Sequence, residues 1–249
     1  MARFLFVTDL DNTLVGDHTA LQQLNRLLSE HRQTHQTKIV YSTGRSLTLY
    51  RQLTTEHTLL EPDVLIAGVG TEIYADGDTT PDRTWSEKLA IAWNREAIVA
   101  ATAHFADLVP QPETEQSPFK VSFFLTEDAA IAVLPQIESL LQQQGLSIQL
   151  IYSSGKDLDI LPSLANKGAA MSFVRQNFGI EASQTVVCGD SGNDIALFSV
   201  GEERGIIVGN AQPELLTWHR HHSSKRHYFA QSHYAAGILE GLHHFNFLP

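Results

Sequence analysis

The sequence predicts an α/β protein in which a parallel-sheet core is interrupted by an inserted α+β cap. In the first and last thirds of the chain, short apolar runs alternate with helical patterns, as in a parallel sheet covered by helices. In the middle, two strand patterns are separated only by Ser153-Ser154-Gly155-Lys156, and strands joined by so short a turn are antiparallel.

The first third of the chain contains three predicted strands. The runs 3–8, 38–42 and 64–67 are apolar without alternation, which is typical of strands buried on both faces of a sheet. Between them, apolar residues recur at three- and four-residue spacing and predict helices. Asp17 or Thr19 is expected to cap the first of these helices.

The middle of the chain, residues 82–162, is predicted to form the cap. It follows a connector rich in Asp, Gly, Thr and Pro, and its first element is predicted to be one helix from about 86 to 105. A strand at 120–125, a further helix and the two hairpin strands at 147–152 and 157–161 complete it.

The parallel-sheet pattern returns after the cap. A helix is expected to begin at Lys167, and short apolar strands are predicted at 185–188 and 205–208. The Rossmann-like core is therefore predicted to be discontinuous and to consist of residues 1–81 and 163–249.

Composition excludes several classes of protein. The net charge is −11 and no dense Lys/Arg cluster occurs, which argues against a nucleic-acid partner. No segment approaches the ~20 apolar residues of a membrane span, and the apolar run at the start is too short for a signal peptide. Cys188 is the single cysteine, so no internal disulfide can form. We therefore predict a cytoplasmic protein without a membrane partner.

Four polar groups occur where a predicted strand ends or a predicted helix begins. They are Asp9 with Asp11, Thr43, Lys167, and Asp190 with Asn193 and Asp194. Each group alone also fits a structural role, because Asp-x-Asp turns cap helices and a first-turn lysine is usually solvated. Since parallel strands end at one edge of a sheet, the joint occurrence of the groups predicts a single site there.

These residue types are those that phosphoryl transfer requires. The carboxylates of Asp9, Asp11 and Asp190 can gather a magnesium ion, which prefers oxygen ligands. Lys167 supplies a fixed positive charge beside the phosphate, and Thr43 offers a hydroxyl group. The residues therefore predict a magnesium-dependent site for a phosphorylated metabolite.

Two carboxylates two residues apart can divide the chemistry between them. Asp9 is predicted to attack phosphorus and form an aspartyl-phosphate. Asp11 is predicted to protonate the leaving sugar oxygen and then to deprotonate the attacking water. Asp11 must first carry a proton, so we expect its surroundings to favour protonation more than those of Asp9. Gly44 lets its backbone N–H approach an anion closely.

The four groups resemble the motifs of the haloacid dehalogenase superfamily of phosphatases, in the same order. The first motif is similar to Asp-Leu-Asp-Asn-Thr at 9–13, the second to Thr43, the third to Lys167, and the fourth to Gly-Asp-Ser-Gly-Asn-Asp at 189–194. Asn12 is a departure, since many members have glycine at this tolerant position.

Longer segments resemble the sucrose-phosphate phosphatase family. They are 10–17, 41–46, 153–162 and 208–215. The resemblance implies hydrolysis of sucrose 6-phosphate, phosphorylated on the fructose unit, as the final step of sucrose synthesis. It also implies that magnesium is bound by Asp9, the main-chain oxygen of Asp11, and Asp190, with Asn193 and Asp194 in support. It makes a transient association with sucrose-phosphate synthase conceivable, although no residue argues for one.

Alternation in the cap strands places polar side chains on one face. Lys120 and Ser122 share a face of their strand, as do Asp157 and Asp159 of theirs. This face is either solvated, with a cross-strand Lys–Asp pair, or closes over the site and binds sugar hydroxyls. The predicted substrate contacts are Lys120, Lys156, Asp157 and Asp159 of the cap and Thr43, Gly44, Arg45, Lys167 and Asn193 of the core.

Three other functions fit the same residues. A mutase of this superfamily would return the phosphoryl group to a sugar, and a phosphatase could act on another sugar phosphate, such as that of trehalose or mannosylglycerate. A non-catalytic sensor is the third alternative. The intact set of Asp9, Asp11, Lys167 and Asp190 argues against it, because a binding protein needs no nucleophile beside an acid.

Overall fold

The computed structural model of the chain describes residues 3–248, so the predicted domain bounds at residues 1 and 249 lie outside the described range. In chain order the elements are β1 (Leu5–Thr8), α1 (His18–His35), β2 (Lys38–Ser42), α2 (Leu47–Glu56), β3 (Val64–Ala67), β4 (Glu72–Ala75), α3 (Arg83–Leu89), α4 (Arg95–Thr102), β5 (Val109–Pro110), β6 (Val121–Phe124), α5 (Glu127–Gln143), β7 (Ile148–Ser153), β8 (Asp157–Pro162), α6 (Lys167–Asn177), β9 (Thr185–Gly189), α7 (Ile195–Ser199), β10 (Arg204–Ile207), α8 (Pro213–His221), β11 (His227–Phe229) and α9 (Tyr234–His244).

The larger sheet has seven strands in the order β11-β10-β9-β1-β2-β3-β4. All neighbouring pairs are parallel except β3 with β4. The predicted parallel-sheet core is therefore confirmed, while the antiparallel edge strand β4 was not predicted. It returns beside β3 because a single 3-10 turn, Gly68–Gly70, reverses the chain.

Helices cover both faces of this sheet, because alternate residues of its central strand point to opposite sides. Phe4 and Phe6 pack in the cluster formed with α1, α2 and α9. Leu5 and Val7 pack in the cluster formed with α3, α6 and α7. Asp17, one of the two predicted caps, accepts a hydrogen bond from the backbone N–H of Ala20 at the start of α1.

The smaller sheet is antiparallel throughout, in the order β5-β6-β8-β7. One face carries Val121, Phe123, Leu158 and Ile160, which pack against α4 and α5 in a separate apolar cluster. The predicted hairpin between β7 and β8 is confirmed. The opposite face of the sheet carries Ser122 paired with Asp159.

The predicted helix from 86 to 105 is wrong, because the chain forms two helices there. α3 and α4 are separated at residues 90–94, where Ala92 adopts a left-handed backbone with φ 59°. Asn94 caps α4 by accepting a hydrogen bond from the backbone N–H of Ala97 at 3.0 Å. Trp85 belongs to the apolar cluster of the larger sheet and Ile98 to that of the smaller one. The break therefore occurs where the chain passes between two cores.

No helix within residues 3–248 combines the length and the hydropathy that a bilayer span requires.

Candidate active site

Three adjacent strands of the larger sheet place their polar groups at one edge. Asp9 follows β1, Thr43 follows β2 and Asp190 follows β9, and β1 lies between the other two strands. Their carboxyl ends open into a cavity of about 650 Å³. The structure thus brings together the groups that the sequence analysis singled out, at the edge where parallel sheets bind ligands.

Lys167 lies beneath Asp9 at the start of α6. The side chain of Asn166 accepts a hydrogen bond from the backbone N–H of Ala169 at 2.8 Å, which makes Lys167 the first residue of the helix. Its Nζ atom lies 2.6 Å from Oδ1 of Asp9 and 2.6 Å from Oδ1 of Asp194. Burial acts to lower the pKa of Lys167, but the charges of Asp194 and Asp9 outweigh it and raise this pKa.

Asp194 organises the loop after β9. Its Oδ2 atom accepts hydrogen bonds from the backbone N–H groups of Asp190, at 3.0 Å, and Ser191, at 3.1 Å. Because its other oxygen contacts Lys167, both carboxylate oxygens have partners. Thr13, to which the sequence analysis assigned no role, donates from its hydroxyl to Oδ1 of Asp190 at 3.0 Å. Asp194 therefore positions the loop and the lysine.

The acidic cluster fits a divalent cation. Asp9, Asp190 and Asp194 each offer an oxygen atom, and these atoms lie within 4.8 Å of one another. Three buried carboxylates face the single ammonium of Lys167, which leaves negative charge uncompensated. Burial raises the pKa of Asp9 and of Asp190, and neighbouring carboxylates raise both further. Asp9 and Asp190 also line the cavity, so they are the carboxylates best placed to share a metal with a ligand there.

Asp11 is paired with Arg45 on the cavity wall. The Nε and Nη2 atoms of Arg45 donate to the two carboxylate oxygens of Asp11, each at 2.8 Å. The guanidinium fork occupies both oxygens of Asp11, so this carboxyl group is not free for proton transfer in this arrangement. A role for Asp11 as an acid requires this pair to open first.

The second motif is held rigidly beside the acidic cluster. Thr43 is fully buried, and its hydroxyl oxygen accepts a hydrogen bond from the backbone N–H of Arg45 at 3.1 Å. Gly44 and Arg45 line the cavity, as does Asn193 from the opposite loop. The backbone of 43–45 therefore forms one wall, with the hydroxyl of Thr43 tied into it.

The polar face of the smaller sheet forms the roof of the cavity. Lys120 is 3% exposed and Asp159 is 6% exposed, so the solvated alternative for this face is wrong for these two residues. The hydroxyl of Ser122 donates to Oδ1 of Asp159 at 2.6 Å, and Nζ of Lys120 lies 3.5 Å from the same oxygen. Lys120 also donates to the main-chain oxygen of Gly44 at 3.3 Å, which joins roof to wall.

Several lining residues escaped the sequence analysis. The side chain of Gln111 donates to Oδ1 of Asp157 at 3.0 Å, and burial is the main cause that raises the pKa of this aspartate. Glu115 lies 3.7 Å from Nζ of Lys120. The lining residues of the cap without a predicted role are Gln111, Pro112, Glu115, Phe124, Ser153 and Ser154. Most lie in irregular segments or at a turn, where no periodic pattern marks a functional side chain.

Comparisons with known proteins agree with this geometry. A family model described as sucrose-6F-phosphate phosphohydrolase matches residues 2–246. The chain is 39% identical to sucrose-phosphatase 2 of Nicotiana tabacum over its whole length, but spans only 60% of that protein. It is 34% identical to a mannosylfructose-phosphate phosphatase of Agrobacterium fabrum, with 98% of both chains covered.

Solved structures share the fold. The sucrose-phosphatase of Synechocystis sp. PCC6803, solved with sucrose and phosphate, is 43% identical, with a TM-score of 0.92 and 99% of both chains covered. A haloacid dehalogenase-like hydrolase protein of Bacillus subtilis is 18% identical, with a TM-score of 0.68 and coverage of 97% of this chain and 91% of that one. The second likeness concerns the fold alone.

Proposed function

Because the chain belongs to the sucrose-6F-phosphate phosphohydrolase family of the haloacid dehalogenase superfamily, we propose that it hydrolyses sucrose 6-phosphate to sucrose and phosphate. One observation carries this proposal. A buried lysine, Lys167, contacts Asp9 at the floor of a cavity of about 650 Å³, a size typical of small-molecule sites. The ammonium group of Lys167 holds one carboxylate oxygen of Asp9, so that the other oxygen of Asp9 is available to attack phosphorus.

In the first step, a carboxylate oxygen of Asp9 forms a bond to phosphorus. The bond from phosphorus to the fructose oxygen breaks, and this oxygen takes a proton from Asp11. Asp11 must leave Arg45 beforehand to take up that proton. The phosphate of the substrate offers Arg45 another anionic partner on the same wall, which favours opening of the pair.

In the second step, the aspartyl-phosphate is hydrolysed. Asp11, now a carboxylate, takes a proton from a water molecule, and the water oxygen attacks phosphorus. The bond between phosphorus and Asp9 breaks, which regenerates the nucleophile and leaves inorganic phosphate. Lys167 stabilises the negative charge beside Asp9 throughout.

The resident cofactor of this proposal is magnesium. Asp9 and Asp190 of the acidic cluster would hold it. The family resemblance adds the main-chain oxygen of Asp11, so that all the donors are oxygen, as this ion prefers. When bound, it neutralises charge on the phosphate and on the carboxylates. Asp194 supports the site by fixing the loop that carries Asp190.

We also propose that residues 82–162 act as a cap that recognises the sugar. Lys120 and Asp159 offer a donor and an acceptor from the roof, and Lys156 and Asp157 extend this polar lining toward the hairpin. Such a surface suits the hydroxyl groups of a disaccharide. A cytoplasmic location stays a prediction from the sequence, and association with sucrose-phosphate synthase stays an expectation from the family resemblance alone.

A second substrate deserves a direct test, because the mannosylfructose-phosphate phosphatase matches the chain over nearly its full length. Phosphate release should be measured on sucrose 6-phosphate, mannosylfructose phosphate, trehalose 6-phosphate, fructose 6-phosphate and p-nitrophenyl phosphate, with magnesium and with EDTA. Among these compounds we expect kcat/KM to be highest for sucrose 6-phosphate. We expect phosphate release only in the presence of magnesium. A higher kcat/KM on another sugar phosphate would assign that compound as the substrate, and the protein would still be a phosphatase.

The control for chemistry is Asp9→Asn, which preserves shape and removes the nucleophile. We expect this variant to bind sucrose 6-phosphate and to release no phosphate. Full activity of the variant, or of the wild-type protein after thorough chelation, would contradict the mechanism. An isomerised sugar phosphate in place of free phosphate would indicate a mutase, and binding without turnover by the wild-type protein would indicate a sensor.

A further inference from the structure

Glu214 lies where the hairpin of the smaller sheet meets the loop that carries Asp190. It is in the first turn of α8, and its Oε1 atom accepts a hydrogen bond from the backbone N–H of Ser154 at 2.9 Å. The same oxygen accepts from the backbone N–H of Gly192 at 3.3 Å. One carboxylate oxygen thus joins the cap hairpin to the acidic loop.

The two segments approach each other closely at this point. A side chain at position 192 would place its Cβ 2.9 Å from the main-chain oxygen of Tyr152 and 3.0 Å from Cγ of Glu214. These separations are tighter than ordinary van der Waals contact, so the glycine lets the hairpin backbone rest directly on the loop. The carboxylate of Glu214 and the absence of a side chain at position 192 therefore both favour this close contact between the hairpin and the loop.

The helix that carries Glu214 is itself anchored to the acidic loop. The backbone N–H of Gln212 donates to the main-chain oxygen of Asp190 at 2.7 Å, so the start of α8 is fixed relative to the acidic cluster. Ser153 and Ser154 of the hairpin line the cavity, as do Ser191 and Gln212. The position of the hairpin over the cavity is consequently set by a residue outside the cap.

We propose that Glu214 is a latch that holds the cap closed over the acidic loop, and thereby a positioning residue for the sugar phosphate. Lys120 provides one hydrogen bond between cap and core, to the main-chain oxygen of Gly44, and Glu214 provides another at the hairpin. A charge-assisted hydrogen bond at each of two backbone N–H groups favours the closed arrangement, in which the cap residues reach the substrate. The part of this proposal that concerns the sugar phosphate rests on the proposed function.

The latch is tested with Glu214→Ala, Glu214→Gln and the matched control Glu96→Ala. Glu96 is exposed and also lies in the first turn of a helix, α4, so its removal reproduces the loss of a favourable helix-terminal charge. Hydrogen exchange of segment 152–156, followed by mass spectrometry without substrate, measures opening of the hairpin. In Glu214→Ala we expect exchange to be about 5- to 10-fold faster, and in Glu96→Ala unchanged.

Kinetics supply the second readout. Glu214→Ala should raise KM for sucrose 6-phosphate about 5- to 10-fold and lower the ratio of its kcat/KM to that for p-nitrophenyl phosphate. Glu214→Gln keeps an acceptor oxygen, so it should restore most of the exchange protection and most of the ratio. Exchange in Glu214→Ala at the wild-type rate would overturn the latch. So would an unchanged ratio, or a Gln variant that restores nothing.

The two arms separate this inference from the proposed function. If the wild-type protein releases no phosphate from sucrose 6-phosphate, the proposed substrate fails while hydrogen exchange still decides whether Glu214 holds the hairpin. If sucrose 6-phosphate is hydrolysed but exchange is insensitive to Glu214, the latch alone fails.

Discussion

The Nζ atom of Lys167 lies 2.6 Å from Oδ1 of Asp194, and both side chains are fully buried. The same nitrogen lies 2.6 Å from Oδ1 of Asp9, so one ammonium links the two carboxylates. A lysine held on two sides has no freedom to leave the site, and its charge compensates groups that could not otherwise be buried ionised. The nucleophile is therefore oriented by the fold before any ligand arrives.

Removal of this lysine should damage both stability and chemistry. Lys167→Met leaves buried carboxylates without their cation, and we expect it to lower the free energy of unfolding by about 3–5 kcal/mol. Phosphate release should be abolished. Urea denaturation and the phosphate assay measure the two effects, with the exposed Lys225→Met as the control. An unfolding midpoint of Lys167→Met equal to that of the wild-type protein would show that the ion pairs contribute nothing.

The carboxyl group of Asp190 should make the metal-free protein less stable as pH rises. Burial, then the charge of Asp9, raises its pKa above the ordinary value of 3.8 in the folded state. The folded protein therefore holds this proton more tightly than the unfolded chain does. Its contribution to stability is complete below about pH 3.8 and is lost as pH rises through the folded pKa.

Asp190→Asn removes this titration. In EDTA, we expect the variant to become more stable than the wild-type protein by a margin that grows between about pH 4 and pH 8. Thermal unfolding midpoints at a series of pH values measure the margin. Magnesium should raise the midpoint of the wild-type protein at pH 8 and raise that of the variant far less. Parallel curves for the two proteins in EDTA would refute this account of the acidic cluster.

The sequence predicted the site residues of the core better than those of the cap that covers them. Asp9, Thr43 and Asp190 follow short apolar strands, so strand patterning alone places them at one edge of a parallel sheet. The pair between Asp11 and Arg45 joins two loops that are distant in the chain, and no local pattern encodes it.

The remaining discrepancies have similar causes. Two helices form where one was predicted from 86 to 105, because the chain passes there from one apolar core to the other. This is a tertiary constraint. Gln111 lies in irregular backbone and Glu115 ends a single 3-10 turn, Glu113–Glu115, and in such segments residue type alone predicts no function. The contacts of Glu214 depend on the hairpin lying against the loop of Gly192, and this arrangement exists only in the assembled fold. Periodicity predicts elements and their edges, and side-chain pairing across loops depends on the assembled fold.

Asp159 should determine affinity for the sugar more than the rate of chemistry. It is nearly buried in the roof and holds Ser122 and Lys120 by its Oδ1 atom. Asp159→Ala removes an acceptor and leaves Lys120 with a weaker set of partners, so KM for sucrose 6-phosphate should rise about 10-fold or more. KM for p-nitrophenyl phosphate should change much less.

Asp159→Asn is the matched variant, since it keeps an oxygen that accepts from Ser122. We expect its KM for sucrose 6-phosphate to fall between those of the wild-type protein and Asp159→Ala. Steady-state kinetics on both substrates measure the difference. Equal losses of kcat/KM on the two substrates in Asp159→Ala would mean that this aspartate supports the catalytic floor and does not select the sugar.

Gly70 should be indispensable to the placement of Lys167. Its φ is +94°, and a Cβ there would lie 2.4 Å from the main-chain carbon and oxygen of Asn166 and 2.8 Å from the backbone nitrogen of Lys167. Gly145 provides a matched control, because its φ is +74° while no atom lies within 4 Å of the added Cβ. Both glycines have left-handed backbone, but only one is blocked by the start of α6.

Gly145→Ala should therefore cost only the conformational penalty, about 1 kcal/mol of unfolding free energy. Gly70→Ala must also push the first turn of α6 away, for which we expect about 2–4 kcal/mol in total. Because that turn carries Lys167, kcat should fall in Gly70→Ala and stay at the wild-type value in Gly145→Ala. Urea denaturation and kcat on sucrose 6-phosphate distinguish the two. Equal destabilisation with equal kcat would mean that the backbone of Asn166 yields to the methyl group, and that contact between Gly70 and α6 does not position the lysine.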